Sequence, residues 1–275
     1  MRKSLQNAIE TETGLKVFGD WVRIDGDLYV LPLVDGNDKI GKGVFHASTL
    51  AGSEMVTFEY NDVIYSEKGT CPMTCKNEAG DVACYGLTGC YNYPSTKFYL
   101  MKRTQLLRKY PDLYFKLARL QIIHENVKLL RLHATGDFIP GEAAGWYEIF
   151  KDMPGLKGWT YTKCRWTADI RKLDNLSNFN IVRSIIPGCG YNFGHIGYIL
   201  KVYYKLKKAG EKVYICRCGI DKNQHCVNCA GCSENKYVLF IEHSTKYKAL
   251  LDNLYETIKA IIEAQPKPIL NILNR

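Results

Sequence analysis

Eleven cysteines stand in this chain, and nine of them fall in two short stretches. The first, CPMTCKNEAGDVACYGLTGCY, carries Cys71, Cys75, Cys84 and Cys90. The second, CRCGIDKNQHCVNCAGC, carries Cys216, Cys218, Cys226, Cys229 and Cys232. Thiolates are soft donors, and several of them in loops rich in Gly, Asn and Asp can converge on one metal centre. Such sites select zinc or iron–sulfur clusters. In the first stretch, three residues separate Cys71 from Cys75 and eight more precede Cys84. Three ligands from one loop hold a four-iron cluster and leave one iron open; with Cys90 as a fourth ligand the loop closes around zinc instead. In the second, Cys226, Cys229 and Cys232 have a ferredoxin-like spacing, and Cys216 completes four ligands with Cys218 as competitor. A zinc ribbon offers two C-x2-C pairs, and only CRC stands on the other side. The expectation is two four-iron centres, an open one in the first loop and a closed, structural or electron-relaying one in the second. Zinc is the alternative for each.

The remaining candidates fall where apolar runs end. LLRLHATGD closes on Thr135, Gly136 and Asp137, and GWTYTKC on Lys163 and Cys164. Arg183 and Ser184 stand in NFNIVRSIIP, Cys216 ends KVYIC, and His243 ends VLFIEH. An acid at a strand end contacts ligands in α/β folds, or caps the helix that follows; Asp137 has both readings. Lys163 is an anion contact or a Schiff-base lysine, against the ordinary alternative of a solvated lysine. His133, two residues from Arg131 and on the same strand face, reads as a hydrogen-bonded core histidine. Cys164 and Cys189 read as buried hydrophobes.

The elements that must position these residues follow from periodicity. Residues 1–60 read as short strands and turns, with VFGDWVRIDGDLYVLPL alternating around an IDGD turn. Residues 95–125 have helical spacing with a boundary before Pro111. Helix and strand then alternate to the last helix, KYKALLDNLYETIKAIIEAQ. That alternation predicts an α/β fold: a parallel sheet flanked by helices, open or closed into a partial (β/α) barrel, with its ligand site at the carboxyl ends of the strands. The expected division is an N-terminal β-rich extension over 1–65 and an α/β core over 66–275.

A chain of 275 residues needs no disulfide staples, and an odd number of cysteines is not a closed disulfide framework. The start, MRKSLQNAIETETG, has no apolar core of a signal peptide, and no apolar run reaches ~18 residues. A reducing cytoplasm and no membrane span are expected. The net charge of +9 permits a nucleic acid or nucleotide partner, as does the segment IGYILKVYYKLKKAGEK with its five lysines and interleaved tyrosines. A solvated basic face is the simpler account of that segment.

At CPMTC…ACYG, LLRLHATGDF and C…CVNCAGC…VLFIEH the chain resembles a phage-encoded family named after gene product eighty-eight. Its members pair a CY-containing cysteine loop with a strand ending R-x-H-x-(small)-G-D-F, then a second cysteine cluster and a strand ending in histidine. The resemblance covers residues 68–245 and implies no particular reaction. More distantly the chain is similar to radical S-adenosylmethionine enzymes, which are partial barrels with a C-x3-C-x2-C loop after the first strand and Gly-Gly-Glu after the second. By that resemblance Cys71, Cys75 and Cys84 hold the cluster, and Thr135, Gly136 and Asp137 hold the cofactor amino group. Arg183 and Ser184 then stand where ribose and carboxylate contacts fall. Apart from that resemblance, His243 ends its strand after Glu242 and either faces the site or does not. The function expected is an iron–sulfur redox or radical enzyme acting on a nucleotide or nucleic-acid base, with Asp137 and Lys163 as catalytic candidates. The alternatives are a non-catalytic zinc protein that binds nucleic acid and a zinc-containing base-exchange enzyme with Asp137 as nucleophile.

Overall fold

Leu5 and Ile9 stand about one helical turn apart and are both buried, so the segment carrying them folds as an amphipathic helix, α1 (Lys3–Thr13). This corrects the expectation of strands and turns alone before residue 60. The computed structural model describes residues 3–36, 41–73, 84–87, 89–164, 166–183, 193, 194, 196–216, 226, 229, 231–241 and 252–265. After α1 comes an antiparallel meander of β1 (Val17–Phe18), β2 (Trp21–Ile24) and β3 (Asp27–Val30). Then follow β4 (Leu33–Val34), β5 (Val44–Ala47) and a hairpin of β6 (Met55–Tyr60) and β7 (Val63–Lys68).

Pro111 divides the helical stretch as its sequence predicts, and Pro94 opens it. Pro94 and Pro111 open α2 (Pro94–Lys109) and α3 (Pro111–His124). A proline has no N–H to give, which costs nothing in the first turn and ends whatever helix precedes it. The alternation continues with β8 (Leu129–Leu132), α4 (Glu142–Asp152), β9 (Lys157–Thr162), α5 (Ala168–Asp174) and β10 (Phe179–Arg183). It closes with β11 (Phe193–Gly194), α6 (Ile196–Lys208), β12 (Val213–Ile215), α7 (Gly231–Glu234), β13 (Tyr237–Ile241) and α8 (Asp252–Ala264).

The fold is mixed α/β. The main sheet has the order β10-β9-β8-β5-β4, parallel from β10 to β5 with β4 antiparallel at the edge. A second, parallel sheet has the order β11-β13-β12. Among the described residues these are separate sheets, and no closed barrel is formed. β10 packs beside β13, with Val182 against Tyr214 and Val238. The main sheet draws strands from both sides of residue 65, because β5 pairs with β8.

The two faces of the main sheet differ. On one, Leu130 and Ile181 join Leu5, Tyr114, Trp146 and Phe150 in the principal core under the helices. On the other, the register sets His46, Arg131, Trp159 and Asn180 side by side. The second cysteine set packs there, with Cys226 and Cys232 against Val44, Leu129 and Trp159.

Candidate functional site

The first cysteine loop resumes where β5 ends, although a hairpin intervenes. The Gly69 N–H donates to Glu54 O (3.0 Å), Thr70 N–H to Leu50 O (2.9 Å) and Cys71 N–H to Gly52 O (3.0 Å). These bonds clamp the base of the hairpin and return the chain to the carboxyl edge of the sheet. There Cys71 and the buried Cys84 pack together with Ala51 and Leu87. Gly86 lies so close that a Cβ on it would meet Ala51 Cβ at 2.6 Å and Thr135 Cβ at 3.2 Å. Cys90 is exposed, and Cys75 lies outside the described residues.

The turn after β8 is fastened to the same edge. Thr135 Oγ1 donates to Thr49 O (2.7 Å), and the Asp137 N–H donates to Thr70 Oγ1 (2.9 Å). Gly136 has φ +82°, and a Cβ there would meet Thr49 Oγ1 at 2.0 Å and Thr70 Oγ1 at 2.6 Å. Only glycine allows both that backbone conformation and that approach.

Asp137 is 1 % exposed, and its carboxylate accepts three hydrogen bonds. Thr162 Oγ1 (2.6 Å) and the Phe138 N–H (2.8 Å) donate to Oδ1, and the Lys163 N–H (2.8 Å) donates to Oδ2. It does not cap α4, whose N-cap is Gly141. The carboxylate clasps the end of β8 to the end of β9. Two of the three bonds fall on Oδ1 and one on Oδ2. Lys163 is half-buried beside it. Cys164 donates from Sγ to Phe138 O (3.3 Å), and burial, then the Asp137 charge, pushes its thiol up to about 12. Arg183 ends β10, while Ser184 and His243 lie outside the described residues.

The second set lies against the other face of the sheet. Tyr161 Oη donates to Cys232 Sγ (2.6 Å), Tyr214 and Cys229 share a hydrogen bond of 3.4 Å, and the Gly231 N–H donates to Cys229 Sγ (3.4 Å). Gly231 allows this, since a Cβ on it would meet the Tyr214 ring at 2.3 Å. Asn180 on β10 ties the loop down by donating to Cys232 O (2.7 Å) and Asn235 O (2.9 Å). Cys216 follows β12, its N–H donating to Leu239 O (2.8 Å), and packs in one cluster with Cys229 and Cys232. Burial, then the neighbouring Cys226, pushes the Cys232 thiol up, against the pull of the Tyr161 hydrogen bond and Arg131. Burial, then Cys232, likewise pushes the Tyr161 phenol up.

Among the described residues no group of three or more His, Cys, Asp or Glu side chains is close enough to hold a metal ion. Cys218 lies outside those residues. Cys216, Cys226, Cys229 and Cys232 all lie within the described residues and form no such group. Four sulfurs occur in one part of the fold, and hydroxyl and amide donors reach Cys229 and Cys232. The Arg131 guanidinium stands over the Tyr161 ring at 5.2 Å.

Sequence reasoning missed a polar network on the helix-covered face. His133 has φ +52°, which breaks the strand alternation and turns it away from the face Arg131 occupies. The expectation that the two share a face is corrected. His133 is the buried, hydrogen-bonded core histidine its strand position predicted, with Nδ1 3.0 Å from Thr160 Oγ1 and Nε2 3.0 Å from Glu142 Oε1. Glu142 also accepts from Trp146 Nε1 (3.1 Å) and the Ile139 N–H (3.1 Å). Burial is the largest influence on His133 and opposes its charge, but the charge and hydrogen bond of Glu142 together with Asp137 act the other way, and the net shift is upward. The available signal was Glu142 in the first turn of a helix that packs over the strand carrying His133.

No helix among the described residues is long and apolar enough to cross a membrane. No curated protein and no solved structure matches the chain. The sequence model of the family described as gene product 88 matches residues 31–249, which takes in β5, both cysteine sets and every strand of the two parallel sheets. The cysteine loop, the R-x-H-x-x-G-D-F strand end and the second cysteine set are thus parts of one matched unit, and the chain belongs to the gene product 88 family.

Proposed function

We propose that the chain is an iron–sulfur enzyme with a reactive centre held by Cys71, Cys75 and Cys84 and an auxiliary centre held by Cys216, Cys226, Cys229 and Cys232. A small cofactor of the S-adenosylmethionine type binds between the first centre and the turn of residues 135–137, and the substrate is a nucleotide or nucleic-acid base. The observation that carries this reading is strand order. Four consecutive parallel strands, β5, β8, β9 and β10, send the Cys71 loop, the Thr135–Asp137 turn, Lys163 and Arg183 to one edge of the sheet. Ligands of α/β folds bind at that edge. In this reading the two parallel sheets are parts of a partial barrel that meet along β10 and β13.

The chain's own residues then have distinct tasks. Asp137 holds the ends of β8 and β9 in register, and Gly136 lets the turn approach Thr49 and Thr70. Lys163 brings positive charge to the edge, which suits a carboxylate or phosphate on cofactor or substrate. Cys71, Cys75 and Cys84 would hold the cluster, which would supply one-electron chemistry when reduced by an external donor.

One observation favours a second reading, a zinc protein that binds nucleic acid without catalysis. Helix α6 exposes Lys201, Tyr204, Lys205, Lys207 and Lys208 to solvent. The deciding experiment is calorimetry of S-adenosylmethionine on reduced, anaerobically purified protein. Binding is expected for the wild type and absent for Cys84→Ser. A wild type that carries its iron and binds none overturns the cofactor assignment. Salt-sensitive oligonucleotide binding by a zinc-loaded protein favours the second reading.

A further inference from the structure

We propose that Arg131 and His46 form an oxyanion site on the face of the main sheet away from the principal core, and that it takes a phosphate group of the substrate. The nucleotide class of that substrate rests on the reading above; the site itself rests neither on that reading nor on a metal centre. The two residues are register partners across β5 and β8, and each is the last but one of its strand. The pair therefore lies close to the carboxyl edge, where α/β folds bind ligands. Arg131 differs from other arginines packed into the fold. Arg103 donates from Nε to Leu31 O (2.8 Å), Arg108 pairs with Glu67, and Arg119 pairs with Asp152. Arg131 makes no ion pair among the described residues, and its buried Nε has no hydrogen-bond partner there. Its guanidinium stands over the Tyr161 ring at 5.2 Å.

Burial works against the charge on Arg131, and the leading groups acting the other way are phenols and thiols, with no carboxylate among them. The residue is half-buried, so a solute reaches its open part. His46 supplies the second group. Its Nδ1 lies 2.9 Å from Ser48 Oγ, and Nε2 has no partner among the described residues. Burial, then the charges of Arg103 and Arg131, pulls His46 down to about 3, so the ring beside Arg131 is neutral at physiological pH. When Ser48 donates to Nδ1, the ring proton sits on Nε2 and points a donor outward. A guanidinium fork beside a neutral N–H donor matches an oxyanion. A phosphate group, with three acceptor oxygens, uses the fork and the ring together.

The test uses the full chain, with calorimetry of inorganic phosphate, the common ribonucleoside 5′-monophosphates and their nucleosides, and NMR of the His46 ring. Inorganic phosphate is expected to shift the His46 ring signals of the wild type. One monophosphate is expected to bind ~10–100-fold more tightly than its nucleoside, the range for hydrogen bonds to a charged group. Arg131→Met is expected to remove that preference, Arg131→Lys to restore part of it, and His46→Gln to weaken it less than Arg131→Met does. An Arg131→Met protein that is folded by circular dichroism and keeps the preference overturns the inference. If Arg131→Met does not fold, His46 signals of the wild type that stay unmoved in excess phosphate overturn it instead. Phosphate that moves His46, with no monophosphate binding more tightly than phosphate itself, upholds the oxyanion site and overturns the nucleotide class. An oligonucleotide that outcompetes every monophosphate, through Arg131, upholds the site with a backbone phosphate as its ligand.

Discussion

The two cysteine sets lie on either side of one short turn, in opposite kinds of surroundings. Ala134 packs with Cys226 and Cys232, while the next residue, Thr135, faces Gly86 two positions beyond Cys84. The first set is held at the sheet edge by loop backbone bonds at residues 69–71. The second is walled by a sheet face and two phenols, and Asn180 and Asn235 pin its loop. An edge site held by a loop can exchange ligands and admit a cofactor. A walled site holds what it binds. The proposed function places chemistry at Cys71, Cys75 and Cys84, and stability and electron relay at the second set.

The largest effect should separate the sets directly. Metal-binding free energy at a closed site is folding free energy. Cys229→Ser is expected to lower the melting temperature by ~10 °C or more, at about 2–4 °C per kcal/mol for large domains, and to cut soluble yield. Cys84→Ser is expected to melt within a few degrees of the wild type and to lose activity. The opposite pattern breaks the comparison.

Next in size is the polar network beneath α4, which involves neither cysteine set. Glu142→Gln leaves His133 without its buried anion and should cost ~3–5 kcal/mol, the range for breaking a buried pair. Metal content per folded chain should not change. If it falls, the helix-covered face is coupled to a metal site.

Asp137 comes third and sharpens the account of the edge site. Asp137→Asn presents an amide N–H where Thr162 or the Lys163 N–H donates, at ~1.5–3 kcal/mol for a lost hydrogen bond to a charged group. Urea unfolding should register that loss. If the Asp137→Asn protein is as stable as the wild type but binds S-adenosylmethionine more weakly, the carboxylate returns to the cofactor.

At neutral pH the smallest effect on stability is that of the two sheet-face histidines, which shows as a pH signature. On the Arg131 side, burial, then Arg103 and Arg131, pulls His46 from 6.5 down to about 3. Between those values the unfolded chain takes up a proton that the folded chain does not, so stability falls as pH drops, by at most roughly 1.4 kcal/mol per pH unit. Above 6.5 this group contributes no slope. On the other face the His133 shift is upward, so its contribution is full below 6.5 and fades as pH rises through its folded pKa. Unfolding curves across the pH range should lose the acid-side slope in His46→Gln and keep the alkaline-side one. An unchanged acid-side slope removes His46 from the account.

Local signals carried much of the fold. Pro94 and Pro111 mark helix starts through a missing N–H, and the alternation after residue 95 appears as parallel strands and covering helices. Non-local features stayed hidden. β5 has four residues, and its place in the sheet depends on pairing with β8, more than eighty positions away. The hairpin between β5 and Cys71 hid that the cysteine loop belongs to a strand of the main sheet. His133 changed face through one backbone angle. Cysteine spacing announced the sulfurs, but the phenols of Tyr161 and Tyr214 that reach Cys232 and Cys229 come from other strands and showed only in the structure.

The central claim is that both cysteine sets hold iron–sulfur centres, and metal analysis of anaerobically purified wild type tests it most directly. The account predicts a brown protein with broad absorption near ~400 nm and about eight irons per chain, with matching acid-labile sulfide. A colourless protein with stoichiometric zinc, or with no metal and every cysteine open to alkylation, would contradict it.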